Sequence, residues 1–170
     1  AIRRQRQMCI RDRYKDGRHP DSVSFVSSIE EDLARRDFTI NAMAWRPDRG
    51  LVDPFGGKAD IELGIIRAVG DPHQRFAEDA LRILRACRFS AELGYAVEPC
   101  TYQGMLENKG LLSKISAERV THELQKLLLG PHAGDALLGC VDALSAVLPE
   151  LVAMKGFDQQ TPYHIFDVLE

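Results

Sequence analysis

The sequence predicts an α+β fold, with short strands up to about residue 64 and an all-helical piece after it. Two observations carry this expectation. Before residue 64 the apolar residues come in short runs separated by Gly, Pro and Asp, as strands and turns require. After it they recur at helical spacing between recognisable start and stop residues. With 170 residues, 45% hydrophobic and 28% charged, the chain can build a buried core and has the composition of a soluble globular protein.

Residues 1–13 are rich in Arg and Gln and have no periodicity. Asp16-Gly17-Arg18-His19-Pro20-Asp21 reads as a turn, and Val23, Phe25 and Val26 as a short strand. Ser28, with Glu31 three residues on, predicts a capping box that opens a short helix running through Arg35. Phe38 to Trp45 is apolar with Thr and Asn interspersed and predicts a strand. Asp48-Arg49-Gly50 turns it into a second one, Leu51-Val52-Asp53. Pro54-Phe55-Gly56-Gly57 reads as a flexible break. Asp71-Pro72 then supplies a cap and a first-turn proline for a helix that Gly94 stops. Ser116, Glu118 and Gly130 punctuate the next helix. Ile115 and Val120 hold its staple positions, and Val120, Leu124, Leu127 and Leu128 form its expected buried face. A third helical stretch runs from Ala133 to Leu148 and ends at Pro149.

A formal net charge of −3 excludes binding to nucleic acid by bulk electrostatics, yet charge is unevenly spread. Seven Lys or Arg lie within residues 1–18, and Arg75, Arg82, Arg85 and Arg88 form a second series, so any RNA contact is expected to be local. Cys9, Cys87, Cys100 and Cys140 are scattered, without a C-x-x-C pair, which predicts reduced thiols and no zinc site. No apolar run approaches the roughly 18–20 residues of a membrane span, and no secretory segment is present, so the expected compartment is the cytoplasm.

The segment Arg75 to Phe89 is the most informative. At 100° per residue, Ala77, Ala80, Leu84, Cys87 and Ala91 fall within an arc of roughly 80°, and Glu78, Asp79, Arg82 and Arg85 within an opposing arc of roughly 120°. One reading is a solvated face laced by ion pairs worth a few tenths of a kcal/mol each. The other is base recognition. A carboxylate accepts from the exocyclic amine of cytosine or adenine, and an Arg fork donates to N3 and O2 of cytosine or N1 of adenine. Uracil and guanine present an N–H where the Arg points, so an Asp79/Arg82 pair could admit C and A without a template.

Glu78-Asp79-x-x-Arg82-x-x-Arg85 resembles the amino-acid-template motif of class II tRNA nucleotidyltransferases and the related bacterial poly(A) polymerases. Three further segments resemble motifs of that family in the right order. Arg35-Arg36-Asp37-Phe38-Thr39-Ile40-Asn41-Ala42-Met43-Ala44 is similar to its ribose- and phosphate-recognition motif. Asp53-Pro54-Phe55-Gly56-Gly57-x-x-Asp60 is similar to the loop between head and neck, and Ser116-Ala117-Glu118-Arg119-Val120 to the neck-helix motif, for which a capped, packed helix is the expected role here.

The resemblance implies an internal fragment: residues 14–64 as the C-terminal part of a polymerase β-like nucleotidyltransferase head, 65–130 as an all-α neck, and 131–170 as the start of a helical body. Residues 1–13 stay unassigned and foreign in character. Pro162-Tyr163-His164 with Asp167-Val168-Leu169-Glu170 is similar to the stretch leading into an HD-type region. It further implies nucleotide contacts: Arg36 at the triphosphate, Asp37 and Asn41 at the ribose, Asp79 and Arg82 at the base, and Arg85 and Arg88 completing the pocket. The expected reaction of the parent enzyme is template-independent transfer of CMP and AMP from CTP and ATP to a tRNA 3′ end. A poly(A) polymerase, a C-only or A-only enzyme, and a non-catalytic RNA-binding module are the alternatives. The family's Gly-Gly…Asp-x-Asp segment, whose carboxylates hold Mg²⁺, is absent from these residues. The metal ligands are therefore expected in a missing N-terminal segment, and the chain alone is expected to be inactive.

Overall fold

The computed structural model describes residues 28–157; the predicted turn at 16–21, the strand at 23–26 and the 162–170 stretch lie outside them. The first described element, α1 (Ile29–Ala34), starts where the sequence predicts. Ser28 Oγ accepts the Glu31 N–H at 3.4 Å, and its own proton goes to Glu30 at 2.6 Å. Leu33 is buried and joins Ala42 and Val69 in a small cluster with Phe55 against it.

The strand expected over Phe38–Trp45 is not there as a unit. Thr39–Asn41 is a 3₁₀ turn, and only Ala44–Arg46 is a strand, β1. The cause is local. Asp37 Oδ1 accepts both the Phe38 N–H (2.9 Å) and Asn41 Nδ2 (3.3 Å), and such side-chain bonds compete with a ladder. Phe38 keeps a single bridge to Ala68, flanked by bonds from Val69 N–H to the Asp37 carbonyl (3.0 Å) and Thr39 N–H to the Arg67 carbonyl (2.9 Å). β1 forms an antiparallel hairpin with β2 (Gly50–Val52), setting Trp45 opposite Leu51.

In place of a flexible break, the segment after Asp53 turns tightly into α2 (Gly57–Leu63). The Asp53 carboxylate accepts the N–H groups of Gly57 (2.8 Å) and Lys58 (2.9 Å), satisfying two donors at the helix start. α2 docks on the 3₁₀ turn so closely that a Cβ at Gly57 would lie 2.1 Å from the Thr39 carbonyl oxygen. Buried Asp60 completes the joint, accepting from Thr39 Oγ1 at 2.6 Å and Arg67 Nε at 3.1 Å. That hydrogen bond raises the Arg67 pKa.

β3 (Ile65–Ile66) pairs in parallel with β4 (Ala96–Val97), and the segment between them is helical. It holds two helices where the sequence predicts one: α3 (Pro72–Glu78) and α4 (Leu81–Leu93). Asp79 between them is extended, with φ −150° and ψ 102°. The break shifts the helical phase. Ala80, Leu84, Cys87 and Ala91 are buried as expected, whereas Ala77 is exposed and Phe76 fills the core position instead.

α5 (Pro99–Asn108), a 3₁₀ segment Lys109–Lys114, α6 (Ala117–Leu128), α7 (Ala133–Leu144) and α8 (Glu150–Met154) follow. α7 ends before the expected Leu148, and Pro149 opens α8 rather than closing a helix. α4 is the axis of the main core, with Ile83, Leu84 and Cys87 buried among Phe38, Phe76, Met105, Leu127 and Leu144. On α6 the expected face is only partly right: Leu127 is buried, Val120 and Leu124 pack at its edge, and Leu128 is 58% exposed. Glu123 takes the inward position because a buried arginine meets it there. Gly130 lets the chain after α6 cross α4, since a Cβ there would lie 2.6 Å from the Ala91 carbonyl oxygen. Among the described residues Cys87, Cys100 and Cys140 are free, and the hydrogen bond of Cys87 with Cys140, together with burial, pushes the Cys87 thiol pKa up. No helix of the described residues is long and apolar enough to cross a membrane.

Two glycines test this packing in opposite directions. Gly57→Ala should cost about 3 kcal/mol, because the methyl meets backbone rather than a yielding side chain. Gly139→Ala, in mid-α7 with open space around it, should add up to about 1 kcal/mol. Urea denaturation of both variants reads the difference.

Candidate functional site

Where α1 ends against the start of α4, a cleft of about 590 Å³ opens. That volume lies within the range of small-molecule sites, about 300–1,000 Å³. Its walls come from three stretches far apart in sequence. Arg35, Arg36, Asp37 and Asn41 follow α1; Asp79, Arg82, Arg85 and Phe89 lie at and after the α3–α4 break; Arg119 comes from α6. Five guanidiniums thus face two carboxylates, an excess of three positive charges in one concavity. Such a site attracts an anion.

Each side chain is held differently. Asp37 is almost buried; its Oδ2 receives Arg85 Nε at 2.7 Å and Nη2 at 2.6 Å, while Oδ1 takes Asn41. Arg36 reaches Asp32 at 3.1 Å and keeps 45% of its side chain exposed, the most open of the five guanidiniums. Asp79 stands in the backbone break, not on the helix face that a continuous 3.6-residue period implies. Its Oδ1 accepts the Leu81 N–H at 3.0 Å, closing the start of α4, and its Oδ2 meets Arg119 Nη2 at 3.2 Å.

Arg82 is clamped. Nη1 donates to the Arg75 carbonyl (3.1 Å) and to Glu78 Oε2 (3.0 Å), and Nη2 donates to the Arg35 carbonyl (3.2 Å). Its Nε–H has no partner among the described residues. A guanidinium fixed on one edge and unpaired at Nε is a donor preset for a ligand.

The structure brings six of the seven sequence-predicted residues, Arg36, Asp37, Asn41, Asp79, Arg82 and Arg85, into this one cleft. Arg88 lies behind it. Its Nε pairs with Glu123 on α6 at 2.7 Å, its Nη1 with Glu92 at 2.7 Å, and its Cζ stacks 4.0 Å from the centroid of Phe89, through which it borders the cleft. Phe89 in turn meets Phe38 edge-on at 5.8 Å. The sequence reading passed over Arg119 and Arg35 as cleft residues. A signal for Arg119 existed, since a cation in the first turn of α6 opposes the helix dipole unless an anion outside the helix holds it.

The magnesium ions that the sequence resemblance implies do not fit the described residues. No group of three His, Cys, Asp or Glu lies together there, and Asp37 and Asp79 are already paired with guanidiniums. The side chains of this cleft can pair with an anion, and the Arg82 Nε–H can donate to a ligand.

Comparison with known proteins gives the following. The family described as "Poly A polymerase head domain" matches residues 6–67, and that described as "Probable RNA and SrmB- binding site of polymerase A" matches residues 94–154. A CCA-adding enzyme of Limosilactobacillus fermentum is 53% identical over 129 residues, 76% of this chain and 32% of the relative. The CCA-adding enzyme of Bacillus stearothermophilus in complex with CTP superposes with a TM-score of 0.68 at 52% identity, over 71% of this chain and 30% of that one. A Thermotoga maritima CCA-adding enzyme complexed with tRNA follows at TM-score 0.65 and 33% identity, over 73% and 32%. The chain spans about a third of the length of the curated relatives it matches.

The Arg88–Glu123 pair behind the cleft has a measurable role in stability. Arg88→Met should cost about 3–5 kcal/mol by leaving Glu123 buried without its partner, whereas Arg88→Met with Glu123→Leu should regain most of that. Equal losses in both variants, in a denaturant titration, would show that the pair is not what α4 and α6 depend on.

Proposed function

The chain belongs to the class II CCA-adding enzyme and poly(A) polymerase family, and from that premise we propose that its cleft selects the incoming nucleotide in a protein adding CMP and AMP, from CTP and ATP, to a tRNA 3′ end. One observation carries the reading: motifs about forty residues apart in sequence, Arg36–Asn41 and Asp79–Arg85, meet in a single arginine-rich cavity.

The roles follow from the chemistry. Arg36 and Arg85 pair with the triphosphate, and Arg35 and Arg119 add to the positive field around it. Asp37 and Asn41 meet the ribose, where hydrogen bonds to a 2′-hydroxyl favour ribonucleotides. Asp79 accepts from the exocyclic amine of cytosine or adenine, and Arg82 donates to the ring nitrogen beside it. Uracil and guanine set an N–H against the Arg82 donor, leaving a buried polar group unpaired, and that mismatch is what gives discrimination its size. The catalytic magnesium ions belong, in this proposal, to carboxylates outside the described residues. The protein acts on tRNA in the cytoplasm.

The test uses the full-length protein that contains this chain, with a tRNA lacking its CCA end and each of the four ribonucleoside triphosphates. Asp79→Ala and Arg82→Ala should each lose the preference for C and A by at least about tenfold, or about 1.4 kcal/mol of discrimination, while melting within a few degrees of the unsubstituted protein. Unchanged selectivity in both variants would sink the assignment.

A further inference from the structure

Arg75 is a cation that the cleft does not use. It sits on α3, its side chain is 13% exposed, and its hydrogen bonds run inward or to Glu78. Nη2 donates to the Ala34 carbonyl at 2.8 Å, Nε to the Val69 carbonyl at 3.0 Å, and Nη1 to Glu78 Oε2 at 3.0 Å. Burial lowers its pKa, with Glu78 opposing the change.

The identity of the acceptors matters. Ala34 is the last residue of α1, so its carbonyl is one that the helix itself leaves unsatisfied. The next carbonyl, that of Arg35, is taken by Arg82 at 3.2 Å. Arg82 also donates to Arg75's own carbonyl and to the same Glu78 oxygen that Arg75 uses. Two guanidiniums, one carboxylate oxygen and the end of α1 therefore close a ring. Val69, the third acceptor, donates its N–H to the carbonyl of Asp37. The Arg75 side chain thus bonds the residue just before the Arg35–Asp37 segment, bonds Val69, which itself pairs with Asp37, and shares the Glu78 oxygen that holds Arg82.

We propose that Arg75 is a positioning residue for base selection, locking the Arg82 guanidinium in register with Asp79 and with the Arg36–Asp37 segment without touching nucleotide itself. The inference rests on the reading of Asp79 and Arg82 as the base-reading pair. Its physical basis is the rigid guanidinium fork, which serves three acceptors at fixed angles; a lysine keeps the charge and loses the fork. A recognition group loses its discrimination when its support lets it drift by about half an ångström or more.

The experiment measures binding of CTP, ATP, UTP and GTP to the full-length protein that contains this chain by calorimetry, in the unsubstituted form and with Arg75→Lys. It adds a thermal melt and the NMR exchange rate of the Arg82 Nε–H. The expected result is a preference for CTP and ATP in the unsubstituted protein. Arg75→Lys should bring the four affinities within about threefold of one another by weakening CTP and ATP about tenfold, leave UTP and GTP nearly unchanged, and speed exchange at Arg82. Glu78→Gln, at an exposed carboxylate, is the second variant should Arg75→Lys fail to fold, and should move the same ratio by a smaller factor. A lowered melting temperature with the CTP-to-UTP ratio retained, or equal weakening of all four nucleotides, would overturn the positioning role and leave the base-reading proposal standing. No preference in the unsubstituted protein would overturn both.

Discussion

A helix that ends leaves carbonyls without partners of its own, and the carbonyls at the end of α1 set the terms for much of this molecule. Ala34 and Arg35 find their donors on Arg75 and Arg82, in a different helical segment more than forty residues later. Satisfying these two half-buried acceptors therefore also joins the strand-containing piece to the helical one. The joint is polar and directional, unlike the apolar cluster around α4, and polar contacts of this kind fix angles more sharply than dispersion does. The cleft forms at that joint, because its walls belong to the two pieces being joined.

The same economy governs the charges. Five arginines around one cavity would repel one another, yet each leans on an oxygen, Arg35 on Asp32 at 2.9 Å. Arg36 leans on Asp32, Arg82 on two carbonyls and Glu78, Arg85 on Asp37, and Arg119 on Asp79. Neutral carbonyl dipoles hold the most tightly clamped of them, so the cavity keeps its positive excess while the guanidiniums keep fixed positions.

The sequence made some of this legible. The start of α1 was readable from Ser28, the stop of α4 from Gly94, and the cleft residues from two motifs whose neighbours in space were expected to be neighbours in function. What was not legible depended on side chains overruling period. Asp37 folds its own neighbours into a 3₁₀ turn where Phe38 to Trp45 looks like strand. Asp79 interrupts a stretch that otherwise reads as one amphipathic helix, so Ala77 turns out to solvent and Phe76 turns in. Glu123 faces the core because Arg88, thirty-five residues away on no shared motif, is buried opposite it, and Leu128 is displaced outward. Hydrophobic spacing reports none of these, since each is set by a polar side chain, through local bonds at Asp37 and Asp79 and a long-range pair at Glu123.

The break at Asp79 also bears on how such a protein can change over generations. One carboxylate oxygen closes the start of α4 and the other faces the cleft, so the residue serves folding and recognition with separate atoms. Asparagine retains an oxygen for the first task and offers an amide for the second. The step from an acceptor to a donor in the cleft is then a single codon change that the backbone tolerates, whereas most replacements forfeit both. Drift at this position is channelled: it can explore a different ligand without giving up the bond that closes the start of α4.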